Sequence, residues 1–271
     1  YRIVEALQNL AESLGVEFEF GSHIKSINTE NSRAKKLVDQ RGSEYWADLI
    51  VSNSDAAETY LNLLNEQDIS SGKKNRIRNL EPSCSGFVLL LGIDHTYEQL
   101  EHHNIFFSEN YEREFRQIFE DKIMPEDPTI YIADTSISNP DHAPGKGSNL
   151  FILVNAPYLS EEYDWEEQES LYTSKVISKL EKSGLTKLRD HIVYRQTINP
   201  KDFRHRYLSN RGSIYGTSSN DRLAAFLRPR NKSRELEGLY LCGGSTHPGG
   251  GIPLVILSAF HAEELIKRYE E

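Results

Sequence analysis

The stretch from Gly238 to Phe260 limits what this chain can fold into more than any other. Leu239, Tyr240, Leu241 and Cys242 form a short apolar run that predicts a buried strand, and Gly243-Gly244 ends it. Five glycines between Gly243 and Gly251 keep the loop poor in side chains, so another group can approach its backbone closely. Pro253 stands at a natural first helical position, where its missing N–H is no loss. From Leu254 to Tyr269 the pattern predicts a helix, apolar at first and later carrying Glu263, Glu264, Lys267 and Arg268. Strand, glycine turn and helix start together leave free N–H groups and the positive end of a helix dipole beside an open backbone. Such a seat suits a flat ring whose edge gains negative charge, as a reduced flavin does. It suits equally a plain connection between strand and helix with no ligand.

The rest of the composition narrows the classes. With 271 residues, 38% hydrophobic and 27% charged, the chain can bury a sizeable core as one large domain or two modest ones. A net charge of −10 without a basic cluster argues against nucleic acid as a partner. Cys84 and Cys242 are the only cysteines, which points to buried free thiols and a cytoplasmic setting, with no disulfide framework. No metal site is expected. No run reaches the roughly eighteen apolar residues of a membrane span. Tyr1 to Leu7 enters in mid-helix without a methionine or a cap, so the chain reads as a fragment of a longer protein.

In chain order, Ile3, Leu7, Leu10 and Leu14 recur at helical spacing up to Gly15. Val16, Phe18 and Phe20 alternate with Glu17 and Glu19, which predicts a half-buried strand. His23 to Asn28 is expected to pair with Ala34 to Gln40 across a polar turn, and Tyr45 to Val51 reads as one further strand. Asn53 and Asp55 are candidate caps for a helix over Ala56 to Leu64. Phe87 to Ile93 should be a central strand, with Ile105 to Phe107, Ile130 to Ala133, Asn149 to Pro157 and Ile192 to Ile198 completing an antiparallel or mixed sheet. Tyr111 to Asp121 and Trp165 to Ser183 read as amphipathic helices, the second with Leu171, Val176, Ile177 and Leu180 inward. The polar cluster Asp202, Arg204, His205 and Arg206 fits either a pocket mouth or a solvated loop.

The run Cys242-Gly243-Gly244-Ser245-Thr246-His247-Pro248-Gly249-Gly250-Gly251-Ile252-Pro253 resembles the C-terminal flavin-contacting signature of the carotenoid (phytoene) desaturase family, within the amine-oxidase-like FAD flavoproteins. Asn104 to Tyr111, Pro200 to Phe203 and Gly212 to Gly216 add to the resemblance, which extends from near Tyr1 to about Ile266. It implies an α/β (α+β) fold. A substrate domain over residues 57–235 would carry a mixed or antiparallel sheet with flanking helices. Residues 1–56 and 236–271 would be returning segments of a discontinuous, glutathione-reductase-like FAD domain. Gly243, Gly244, Gly249, Gly250, Gly251, Ile252 and Pro253 would lie against the flavin, and Ile24 under the adenine end. His247 could orient the ring or shuttle a proton, or only hold the turn. Tyr215 could form the substrate wall or be a core aromatic.

The implied reaction is dehydrogenation of a long, hydrophobic polyene, with hydride passing to the flavin. Carotene isomerase-like or retinol-saturase-like chemistry, or a non-catalytic remnant, are the alternatives. A water-insoluble substrate further implies peripheral contact with a membrane through exposed apolar residues. Gly-x-Gly-x-x-Gly between a strand and a helix is absent here, and Gly145-Lys146-Gly147 sits in a turn with no third glycine. These residues alone are therefore expected to bind FAD weakly or not at all. Gly244 also stands where many related flavoproteins carry an acid.

Overall fold

In the computed structural model, which describes residues 1–218 and 228–271, the helical spacing at the start forms α1 (Arg2–Ser13). None of its residues is buried. Val16 to Phe20 is irregular and not the expected strand. Phe18 and Phe20 stack on one another with ring centroids 5.7 Å apart, and both are exposed. Alternation makes a strand only where a neighbour takes up the backbone hydrogen bonds, and this segment is not paired into a sheet.

The expected hairpin forms between β1 (Ile24–Glu30) and β2 (Arg33–Asp39), with Asn31 and Ser32 both at positive φ in the turn. The run read as one strand divides. Its first part, β3 (Glu44–Trp46), extends the hairpin, while β4 (Ile50–Ser52) leaves it and pairs in parallel with Leu239–Leu241. Burial explains the division, because Ile50, Leu239 and Leu241 share a core with Ile27, Ala34 and Tyr60. After β4 come α2 (Ala56–Glu58), a wider helical turn over Thr59–Leu63, and α3 (Ser71–Arg78).

A second core lies on a five-stranded sheet. Its strands are β5 (Ser85–Ile93), β6 (His103–Phe106), β7 (Ile130–Asp134), β8 (Ser148–Ala156) and β9 (Ile192–Ile198), in the order β6-β7-β8-β5-β9. All neighbours are antiparallel. The unbroken apolar run of β5 lies between β8 and β9, as a strand buried on both faces should. Helix α4 (Tyr111–Arg116) continues as a wider turn to Asp121, and α5 (Trp165–Lys182) covers the sheet with Trp165, Tyr172, Val176, Ile177 and Leu180. Phe87 packs between Trp165 and Tyr172, at centroid distances of 5.6 and 5.4 Å. Leu171, expected inward, is exposed.

Helix α6 (Pro200–Tyr207) starts with a reciprocal cap between Asn199 and Asp202. The parallel partner of β4 is β10 (Leu239–Leu241), and α7 (Ile252–Glu270) ends the chain. The fold is thus α+β, an antiparallel sheet with helices beside a small parallel pair. Among the described residues no helix is long and apolar enough to cross a membrane.

Candidate functional site

The glycine turn is placed by the parallel pair, which sets Leu241 opposite Ser52. Cys242 N–H donates to the Ser52 carbonyl at 3.0 Å, and Gly243 N–H to Ser258 Oγ at 2.7 Å. Ala56 N–H donates to Ser245 Oγ at 2.9 Å, so the turn also caps α2. Of the two expected caps, Asp55 takes the Ala57 N–H, while the Asn53 amide turns back to the Cys242 carbonyl at 3.2 Å. Asp55 also accepts the Asn210 N–H at 3.1 Å, and burial pushes its carboxyl above the usual range. Asn231 Nδ2 lies within hydrogen-bond distance of the carbonyls of Leu241, His247 and Ser258, at 3.1, 3.0 and 3.3 Å.

Two glycines in the turn answer to different demands. A Cβ on Gly250 would stand 2.8 Å from the Tyr215 ring, so packing inside the protein excludes it. Gly251 has φ +98°, and a Cβ there would meet nothing within 4 Å. Its backbone therefore faces open space in a conformation that side-chain-bearing residues avoid.

Tyr215, Gly249, Gly250 and Leu254 line a cavity of about 320 Å³ together with Cys84 and Phe119. The structure thus brings Tyr215 to the glycine turn. His247 lines a separate cavity of about 340 Å³ with Arg230, His261 and Arg268, and its ring lies 5.9 Å from that of His261. Its backbone N–H donates to the Pro229 carbonyl at 2.9 Å. Ile24 opens β1 opposite Asp39 and lines neither cavity. Gly243 and Gly244 lead into the turn, Ile252 is exposed, and Pro253 lies in the first turn of α7. The polar cluster on α6 is largely paired within the protein, Arg204 with Glu58 at 2.9 Å and Arg206 with Asp202 at 3.7 Å.

Helix α7 starts without a side-chain cap. Its first free N–H groups and dipole favour negative charge nearby by about 0.3–2 kcal/mol. An open Gly251, an uncapped helix start and an adjoining cavity fit a flat group with an electron-rich edge. Sequence reasoning missed Arg228 and Asn231, buried polar side chains that help tie this region together. Arg228-Pro229-Arg230-Asn231 reads as a polar loop, and only tertiary structure shows that Arg228, Pro229 and Asn231 are buried while Arg230 is exposed.

No family model matches the chain. Among curated proteins, 4,4'-diaponeurosporene oxygenase of Staphylococcus haemolyticus is 37% identical over 270 residues, covering 100% of this chain and 53% of that protein. The protein of that name from Staphylococcus aureus strain MSSA476 is 35% identical over 271 residues, covering 100% and 54%. Among solved structures, an oxidoreductase from Methanosarcina mazei matches with a TM-score of 0.65 at 17% identity, over 97% of this chain and 53% of that one. Cyclohexylamine oxidase from Brevibacterium oxydans gives 0.53 at 12%, over 89% and 48%. These two structures speak for the fold. The chain is thus similar over its whole length to curated 4,4'-diaponeurosporene oxygenases, which fits the carotenoid-desaturase-like resemblance of the Thr246–Pro253 run; it shares the fold of the two solved structures and spans about half the length of the curated relatives it matches.

Proposed function

We propose that these residues form the substrate-facing and flavin-facing part of an FAD-dependent oxidoreductase acting on a long polyene. The observation that carries the reading is the cavity where Tyr215 meets Gly249 and Gly250, next to an uncapped helix, in a chain matched end to end by carotenoid-modifying relatives. FAD, when bound, supplies the hydride acceptor. The turn from Gly249 to Pro253 holds the ring, and the α7 N–H groups favour charge at its edge. Phe119, Leu254 and Tyr215 give the cavity an apolar wall that suits a hydrocarbon chain. His247 lines the second cavity, which favours holding the turn as its role over proton transfer. Residues 57–235 are the substrate-binding part, and residues 1–56 and 236–271 complete a flavin-binding part.

A dinucleotide-binding motif, which these residues do not contain, would have to come from elsewhere in a protein of the relatives' length. The exposed apolar faces of α1 and of the first half of α7 suit burial against further polypeptide. The name of the relatives favours oxygenation of the polyene as the specific outcome, with desaturation as the second reading. The test is to express a protein of the relatives' full length containing these residues with 4,4'-diaponeurosporene. An oxygenated product supports the first reading, and a lengthened chromophore without oxygen supports the second. An unchanged polyene beside a fully flavin-loaded protein would contradict both.

A further inference from the structure

Three segments far apart in sequence line much of the 320 Å³ cavity: Ser83-Cys84, Tyr215 with Thr217-Ser218, and Pro248 to Gly250. The first two are joined like strands. Ser83 N–H donates to the Gly216 carbonyl at 2.7 Å, Ile214 N–H to the Cys84 carbonyl at 3.1 Å, and Tyr215 N–H to Ser83 Oγ at 3.0 Å. The glycine turn joins this pair through a side chain. Arg228, only 8% exposed, donates through Nη1 to the Tyr215 carbonyl at 3.2 Å and to the Gly244 carbonyl at 3.0 Å. Nη2 donates to the Thr217 carbonyl at 2.9 Å. The guanidinium also underlies the turn, because a Cβ built on Gly249 would stand 3.3 Å from its Cζ. A planar fork that reaches carbonyls on two segments at once fixes their spacing as a single point charge cannot.

We infer that Arg228 is the positioning residue of this cavity, the clamp that sets the distance between the glycine turn and the Tyr215 segment. The inference rests on the cavity and not on the identity of what fills it, so it stands or falls separately from the flavin reading. Without the fork, Gly244 and the Tyr215 segment lose their shared donor, and the cavity opens locally while the five-stranded sheet stays folded. Gly249 is glycine partly for the same reason, since any side chain there presses on the guanidinium at φ +139°.

The chain's two cysteines supply the readout. Cys84 lines the cavity, whereas Cys242 sits at the end of β10 against Asn53. Burial pushes both thiols above their ordinary value, so both should alkylate slowly in the native chain. In Arg228→Gln, alkylation of Cys84 by a maleimide, followed by mass spectrometry, should speed up on the order of tenfold or more. Loss of one charge-assisted hydrogen bond already shifts a local opening by that factor. Cys242 should change by less than about threefold and far-ultraviolet circular dichroism should not change, as local opening requires. Arg228→Lys, which keeps the charge and loses the fork, should behave like Arg228→Gln. Gly249→Ala, with the guanidinium intact, should also raise the Cys84 rate. Three results would overturn the clamp: an unchanged Cys84 rate in Arg228→Gln, parallel acceleration of both thiols, or native behaviour of Arg228→Lys. Should Arg228→Gln fail to fold, Gly249→Ala decides alone, and a native Cys84 rate there refutes the inference.

Discussion

The five-stranded sheet and the surface formed by α1 and the start of α7 draw on equally apolar sequence and end differently. Phe87, Leu89, Ile130, Ile132, Leu150 and Ile152 have essentially no contact with solvent, closed in by α5 and by one another. Ile3, Leu7 and Leu10 on α1, and Ile252, Ile256 and Phe260 on α7, remain exposed at similar helical spacing. Apolar periodicity therefore identifies a face that needs cover without identifying the cover. The sheet finds its own within the chain. The glycine turn, at the head of α7, lies on the other kind of surface, and that is where a cofactor and further polypeptide can be received.

The largest expected contrast is energetic. Phe87→Ala should cost about 3–5 kcal/mol in urea unfolding, because it empties space between Trp165 and Tyr172. Leu7→Ala should cost less than about 0.5 kcal/mol in this chain. A large cost for Leu7 would show that α1 is already covered and would break the contrast. Within a protein of the relatives' full length the Leu7 cost should rise to about 2 kcal/mol or more, as for a buried leucine.

Gly250→Val should come next. Its side chain would drive into the Tyr215 ring and narrow the cavity, so bound flavin in the full-length protein should be lost, read as loss of yellow colour. Asn199→Ala should cost about 1 kcal/mol by removing the side-chain cap at the start of α6, while Asp202 still accepts from the backbone N–H of residue 199. That change lies outside the turn and should leave flavin binding unaltered.

The smallest expected effect concerns pH. Glu270, at the end of α7, accepts from Arg33 at 2.6 Å and from the Tyr240 hydroxyl at 2.8 Å, and the Arg33 hydrogen bond holds its carboxyl below the ordinary 4.5. A carboxyl whose pKa is lower in the folded state contributes its full stability above the unfolded value and loses it as pH falls through the folded one. Unfolding midpoints measured from neutral pH downward should therefore drop more steeply below pH 4.5 in the native chain than in Glu270→Gln. Equal slopes would remove Glu270 as the tie between α7 and the strands β2 and β10.

How much of this could be read beforehand depends on the range of the contacts. The β1–β2 hairpin, β5, β8 and α5 were legible because local pattern and burial agree there. Tyr45 to Val51 misled because Ile50 and Val51 answer to Leu239 and Tyr240, a pairing that no local window contains. Val16 to Phe20 has the alternation of a strand and lacks a strand beside it. At the site, the glycine run marked the turn, and Tyr215 proved to lie against it. The motif named His247 without fixing its role, and the turn places it in a second cavity with Arg230 and His261. Arg228 was invisible because an arginine beside a proline normally reads as surface, whereas the carbonyls of Tyr215, Thr217 and Gly244 that converge on it lie outside its own loop.

The central claim is that the backbone from Gly249 to Val255 seats the redox ring. Amide hydrogen exchange on a protein of the relatives' full length, compared with and without FAD, tests it directly. The expected result is strong new protection over Gly249 to Val255, with the five-stranded sheet unchanged. Full FAD binding with no added protection in that stretch would contradict the account.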